Sequence, residues 1–337
     1  MAGPSRRIWG FELAVVVLGL LAMAQQSMQQ SSKRPMHGLI QRINDNGPYF
    51  GLVLASDSDE KALLASNVFK TEGEISSVDV AGRKFNVGTI NGTNVIYVKT
   101  GKGPSINAAA TVQILVDLFE PEGIIHIGPA GAVNYSLFIG DVAVPKQVAF
   151  TGSWKWLERR AKGGQLVFGE YNKPVRGGNL LGSISFQPTT LYATGKNKTT
   201  VFWLPLTSNW LDVASQLKNV ELEQCISKNK CLPKAPVMVN DLRVSSSDIY
   251  VQNAAYREFI CTQFKASTVD RETAAVTLVA LSNDVPVIAF RGVSDTAGGS
   301  TAYKSYSYLA SVNVVKAAVA FIGAVGNSNS SLAVAAY

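Results

Sequence analysis

Hydrophobic and polar positions along the chain follow two periods. Phe50–Ala55 is a short apolar run, and Asn94–Lys99 (NVIYVK) is β-branched between turn residues, so both predict strands. Ala108, Val112, Leu115 and Phe119 recur at helical spacing and predict an amphipathic helix over Ile106–Phe119. The apolar segment Gly123–Gly128 follows as a buried strand, and strand–helix–strand in that order implies a parallel pair. Asp141–Pro145 predicts another short strand. From Thr151 to Pro205 the chain is irregular, Gly-rich and aromatic (Trp154, Trp156, Trp203), as a long excursion over one face would be. Helices are then expected over Trp210–Val220, Gln252–Phe264, Arg271–Asn283 and Tyr308–Gly323, with a strand at Pro286–Arg291. No internal repeat or dividing linker appears. The pattern predicts one three-layer α/β domain over residues 46–325, followed by a C-terminal tail at 326–337.

The N-terminus adds a compartment. Arg6 and Arg7 precede an apolar run from Phe11 to Ala24, broken only by Glu12 and ending in Ala22-Met23-Ala24. A positive segment, a short apolar core and small residues describe a secretory signal peptide over residues 1–24. The run falls short of the ~20 residues that a spanning helix needs, so no membrane association is expected after cleavage. Residues 25–45 read as a flexible leader. Sequons at Asn91, Asn134, Asn197 and Asn329 suit glycosylation on a secretory route to the cell exterior or the vacuole. In that setting Cys225 and Cys231 either close a small loop disulfide or are two buried thiols, and Cys261 is odd.

Composition bounds the function without naming it. The chain has 337 residues, 47% hydrophobic and 16% charged, which excludes general disorder and supplies a large core. With two His and three Cys, a metal site is not expected. The net charge of +7 is spread along the chain without a dense Lys/Arg stripe, so no nucleic-acid partner is expected.

Candidate chemistry lies where ligands bind in open α/β sheets, beyond the carboxyl ends of strands. Four segments fall there: Ala55-Ser-Asp-Ser-Asp-Glu60, Thr100-Gly-Lys-Gly-Pro-Ser105, Gly128-Pro-Ala-Gly131 and Arg291-Gly-Val-Ser-Asp295. The second is a Gly-rich turn whose N–H groups could cradle an anion at a helix N-terminus, or simply form a tight turn.

Val269-Asp-Arg-Glu272-Thr-Ala-Ala-Val276, followed by Val285-Pro-Val-Ile-Ala-Phe-Arg-Gly-Val-Ser-Asp295, resembles a signature of the nucleoside phosphorylase and nucleosidase superfamily. That superfamily includes purine nucleoside phosphorylases and methylthioadenosine/S-adenosylhomocysteine nucleosidases. Gly128-Pro-Ala-Gly131 with Ile139-Gly-Asp-Val142 resembles its second signature and the Thr100 loop its third. The most extensive resemblance is to plant bark and vegetative storage proteins of this superfamily, from Asn46 to about Gly323. It implies a single αβα domain with a central mixed, twisted sheet, and homo-oligomers.

The resemblance also implies roles. Breaking an N-ribosidic bond builds positive charge on the sugar, and the purine leaves readily only if protonated. Asp295 matches the general acid near purine N7, its pKa raised by burial. Glu272 matches the carboxylate that accepts hydrogen bonds from the ribose hydroxyls, with Arg271 beside it. Tyr250 matches a base-stacking aromatic, and Ala130 and Gly131 the backbone at the base edge. Taken singly, Glu272 would read as a helix-start residue and Asp295 as a turn cap.

For the attacking group, Thr100, Gly101, Gly103, Ser105 and His126 match the phosphate-binding positions of phosphorylases, and Glu60 or Asp59 the water-activating carboxylate of nucleosidases. No cofactor is implied, and phosphate enters as co-substrate only in phosphorolysis. The chain departs from the family at His126, where phosphorylases carry Arg, at Arg271, where Met is usual, and at Pro129, where a hydroxyl is common. Three functions follow: cleavage of purine nucleosides (adenosine-type, N6-substituted ones included), storage on the same scaffold with weak or no activity, or binding of a nucleoside or base.

Overall fold

The computed structural model describes residues 36–334 except 72, 102, 159, 170–177, 218–219 and 300–305, with only the backbone from 327 onward. The signal sequence expected over 1–24 lies outside the described residues. The chain divides into two units, residues 1–47 and 48–337. In the first, helix α1 (36–44) buries Ile40 and Ile43, so part of the segment expected to be a flexible leader is regular structure.

The second unit is built on an 11-stranded mixed sheet. Its strands are β1 (Phe50–Leu54), β2 (Phe69–Lys70), β3 (Ser77–Val80), β4 (Arg83–Ile90), β5 (Thr93–Lys99), β6 (Gly123–Ala132), β7 (Val142–Phe150), β8 (Leu204–Pro205), β9 (Met238–Ser246), β10 (Thr268–Asp270) and β11 (Val287–Thr296). Parallel pairing joins β5–β1–β6–β11 and β7–β9–β10, while β10–β6 and β11–β7 run antiparallel. The path β6–β10–β9–β7–β11 therefore returns to β6. That closure fixes the site, because Gly131 on β6 is in register with both Val269 on β10 and Asp295 on β11.

Helices cover both faces. On one, α2 (Asp57–Ser66) and α4 (Ser208–Gln216) pack on α7 (Ser307–Val334). The core there joins Leu52, Leu54, Ile288 and Phe290 of the strands to Trp210, Val314 and Phe321. On the other face α3 (Ser105–Phe119) packs on α6 (Thr273–Ser282), and Ala289 joins Val148, Val244 and Ala274. The alternation of Ile288, Ala289 and Phe290 between two cores explains why β11 is apolar throughout: it is buried on both sides. Helix α5 (Ala254–Phe264) lies in a separate aromatic cluster with Phe186 and Phe202. Helix α7 packs close on β11 at Gly292, where a β-carbon would stand 2.5 Å from the Ala310 carbonyl oxygen. Gly292→Ala is expected to lower stability by about 1–3 kcal/mol, read from the denaturant midpoint. An unchanged midpoint would mean that the helix yields freely.

The excursion from Thr151 to Pro205 contains a three-stranded and a two-stranded sheet, Trp154–Trp156 with Ser183–Phe186 and Leu166–Val167, and Thr189–Leu191 with Thr199–Val201. Cys225 and Cys231 form a disulfide across a small hairpin, and Cys261 is free and half-buried. Asn91 and Asn197 are exposed, whereas Asn134 is half-buried with its side-chain oxygen accepting from the Ser136 N–H. The backbone of α7 runs through Asn329, where a tail was expected.

Candidate active site

Three strands of the closed path, β6, β10 and β11, contribute to one cavity of about 400 Å³. From β6 come Pro129, Ala130 and Gly131; from the β10–α6 junction Asp270, Arg271 and Glu272; from β11 Ser294 and Asp295. Ile249, Tyr250 and Val251 close another side, and Ser56, Asp57 and Ser58 come from the start of α2. Asp295, Glu272, Arg271, Tyr250, Ala130 and Gly131, scattered over 166 positions of sequence, thus face one space.

Asp295 accepts a hydrogen bond from Ser294 Oγ at 2.7 Å through Oδ2. Burial pushes its carboxyl up, with that hydrogen bond opposing the shift. Its other oxygen lies beside Gly131, where a β-carbon would approach it to 3.2 Å, so glycine keeps this side open. Glu272 is the N-cap of α6 and is 6% exposed. Its Oε2 takes the Arg291 Nη2 at 3.3 Å. Burial raises the Glu272 carboxyl, the Arg291 charge lowers it, and Asp270 raises it again, for a net rise. Tyr250 is 70% exposed at the rim.

Behind the wall lies a charge cluster that sequence reasoning did not assemble. Arg291 is completely buried. Its Nη1 meets His126 Nε2 at 3.0 Å, its Nη2 donates to the Pro129 carbonyl at 2.7 Å, and its Nε lies 3.2 Å from Asp270 Oδ2. Gly128 makes the room, since a β-carbon there would stand 2.7 Å from Nη1. Asp270 also accepts from Ser246 Oγ, from Thr273 Oγ1 and from the Glu272 and Thr273 N–H groups. Burial alone would raise Asp270; the Arg291 charge and the Thr273 and Ser246 bonds outweigh it and hold the carboxyl below its usual range.

His126 sits behind the cavity wall and is not among the residues that line it. It is wholly buried, with Nδ1 3.0 Å from the Val53 carbonyl and Nε2 facing Arg291. That geometry assigns the proton to Nδ1 and leaves Nε2 as acceptor. Burial and then the Arg291 charge push its pKa down to about 3, so the ring is neutral.

The two carboxylates expected to activate water are also elsewhere. Ser56-Asp57-Ser58-Asp59-Glu60 is the N-cap and first turn of α2, where acidic residues complement the helix dipole. Asp59 turns inward, accepting from Ser56 N at 2.8 Å, Ser56 Oγ at 2.7 Å and Ser311 Oγ at 2.6 Å. Burial raises its pKa, with the Ser311 and Ser56 bonds opposing. Glu60 pairs with Lys99 at 2.6 Å, and Lys99 also reaches Asp57 at 2.9 Å. Neither Asp59 nor Glu60 lines the cavity; Asp57 and Ser58 do.

The Gly-rich turn runs beside the cavity, and Thr100 and Ser105 at its two ends bond within the chain. Thr100 Oγ1 bonds the carbonyls of Leu54 and Gly101, and Gly101 takes the positive φ of 81° that the turn requires. Ser105 gives its N–H and its hydroxyl to the two carboxylate oxygens of Asp248 at 2.5 and 2.9 Å. An internal carboxylate, Asp248, therefore bonds Ser105 at the α3 N-terminus, where the sequence left open either an anion cradle or a plain tight turn. Thr100, Gly101, Gly103 and Ser105 are absent from the cavity lining.

A family profile described as the phosphorylase superfamily matches residues 49–328. Bark storage protein A of Populus deltoides is 42% identical over 307 residues, covering 90% of this chain and 97% of that protein. A 5′-methylthioadenosine/S-adenosylhomocysteine nucleosidase of Halalkalibacterium halodurans is 35% identical over 100 residues, 30% of this chain and 41% of its own. Among solved structures, a nucleosidase of the same type from Colwellia psychrerythraea, in complex with adenine, aligns with a TM-score of 0.58 at 18% identity, over 82% of this chain and 96% of that one. At that identity the likeness is one of fold, and the mixed sheet with helices on both faces is what the two share. Profile and full-length relative agree on the same stretch that carries the three motifs, and the chain belongs to the phosphorylase superfamily.

Proposed function

We propose that the cavity binds a purine nucleoside and that the protein cleaves its N-ribosidic bond. The observation that carries this reading is the convergence of Asp295 and Glu272, from two different strand ends, on one cavity edged by Ala130, Gly131 and Tyr250. An acid whose pKa is raised keeps its proton nearer neutrality and can pass it to N7 as the C1′–N9 bond breaks. A buried carboxylate fixed by Arg291 can accept from the sugar hydroxyls and gains strength as positive charge grows on the ring. Adenine in the Colwellia psychrerythraea structure fits a purine as the base. A second reading, storage on the same scaffold, is favoured by the 42% identity over nearly all of the Populus protein. Secretion and glycosylation belong to this proposal on the sequence features alone, and homo-oligomer assembly on the family resemblance alone.

The test is base release from adenosine, inosine and an N6-substituted adenosine by residues 25–337, with and without phosphate. Release that requires phosphate marks a phosphorylase, and release without it a hydrolase. If no base is released and calorimetry detects no binding, storage stands and the site reading falls. Asp295→Asn is expected to lower turnover by about 10²–10⁴-fold while adenine still binds. Wild-type turnover should decline as pH rises through the raised pKa of Asp295, because the acid must be protonated to act. An Asn variant with full turnover removes Asp295 from the mechanism.

A further inference from the structure

We propose that Arg271 forms an oxyanion subsite inside this cavity, so that the ligand presents a phosphate group beside its sugar. The inference rests on the nucleoside reading of the cavity and adds a charged moiety to it.

The charges lining the cavity leave Arg271 as the exception. Asp57 is held by Lys99, and Asp270 and Glu272 by Arg291. Asp295 takes the Ser294 hydroxyl. Arg271 lines the same cavity, is only partly buried, and makes no side-chain hydrogen bond or ion pair among the described residues. Its guanidinium lies flat against the Cα of Gly103: a β-carbon there would stand 2.8 Å from Cζ and 3.0 and 3.1 Å from the two terminal nitrogens. One side of the group thus rests against backbone, while its five donors have no acceptor among the described residues. A planar, always-charged fork placed in that way matches the paired oxygens of a phosphate.

Neighbouring features sharpen the assignment. The Ser105 N–H and hydroxyl are already given to Asp248, so these two donors at the α3 N-terminus are engaged within the chain, whereas the Arg271 guanidinium is not. His126, buried behind the cavity wall, is neutral and turned toward Arg291. The competing account is that Arg271 only offsets the charge of Glu272, with which it interacts through space. In that case it would tune sugar binding and be indifferent to phosphate.

The two sources of phosphate are separable by calorimetry on the wild-type protein, using adenine, adenosine, adenosine 5′-monophosphate, and adenosine with inorganic phosphate. A monophosphate that binds about tenfold or more tighter than adenosine places the group on the ligand's sugar. An equal gain for adenosine on adding millimolar phosphate identifies a free oxyanion in the same subsite. Either gain should disappear in Arg271→Met, shrink in Arg271→Lys, and weaken in Gly103→Ala, which displaces the guanidinium without removing its charge. The inference is overturned if adenine and adenosine bind but neither phosphate arm gains, or if the gain survives in Arg271→Met. If adenine and adenosine do not bind at all, the nucleoside reading fails separately. Inorganic phosphate titrated alone into wild type and Arg271→Met then decides the subsite: binding by wild type that the variant loses supports it, and any other result ends it.

Discussion

Arg291→Met is expected to destabilise the protein more than any other single change at this site, by about 3–5 kcal/mol. Methionine fills much of the volume, so the loss is electrostatic. Arg291 is fully buried and serves Asp270, Glu272, the Pro129 carbonyl and His126 at once. Without it two buried carboxyls face each other with no cation in contact, and the Pro129 oxygen loses its short hydrogen bond. A buried charge left unpaired costs far more than an intact ion pair contributes, because the desolvation has already been imposed by the fold. Denaturant titration at neutral pH measures the loss as a shift in midpoint at constant slope. Adding Asp270→Asn should recover part of it by removing one stranded charge, so the double variant falls short of additivity. A single variant within about 1 kcal/mol of wild type would show that water enters the cluster freely and that Arg291 does not hold it together.

This cluster also marks the limit of what the sequence conveys. Elements whose apolar positions repeat at a clear period appear where expected: the strand from Phe50, the helix ending at Phe119, and the helix ending at Phe264. Ends were less readable. The strand expected to stop at Gly128 continues to Ala132, and the one expected to stop at Arg291 continues to Thr296, because the two pair with each other throughout, across glycines that local propensity counts as breaks. The acidic segment after Ala55, read from sequence only as a ligand loop at a strand end, is a helix start, with Ser56 at the N-cap and three acids in the first turn. Glu272 and Asp295 were legible through the resemblance of their motifs to the superfamily signature, and both line the cavity. Arg291 and Asp270 stood inside the same quoted motifs yet carried no local signal. Their roles depend on the return of the sheet to β6, a long-range fact. His126 shows the same limit from the other side: its sequence position suggested an anion ligand, but its contacts are set by Val53 and Arg291, 73 positions before it and 165 after it.

His126 should also give the fold a pH dependence that one substitution removes. In the unfolded chain the imidazole takes a proton near its ordinary pKa of 6.5; in the fold it resists until about 3. Between those values the unfolded state binds more protons, so stability rises with pH there. Read from neutrality downward, the contribution is whole above about 6.5 and is lost progressively as the pH falls toward 3. The slope approaches about 1.4 kcal/mol per pH unit, for a total on the order of 5 kcal/mol. Asp59, Glu272 and Asp295 work in the opposite direction, because their raised pKa values let the fold take up protons before the unfolded chain does. The wild-type profile alone therefore underreports the histidine. His126→Gln keeps an amide oxygen for Arg291 and has no proton to gain, while the three carboxylates are common to both proteins. Denaturant midpoints from pH 7.5 to 4.5 are expected to fall more steeply for wild type, with the gap between the two curves narrowing or reversing toward acid. Parallel curves would mean that the folded protein protonates His126 as readily as the unfolded chain does. That result would contradict a ring whose Nε2 accepts from a buried guanidinium.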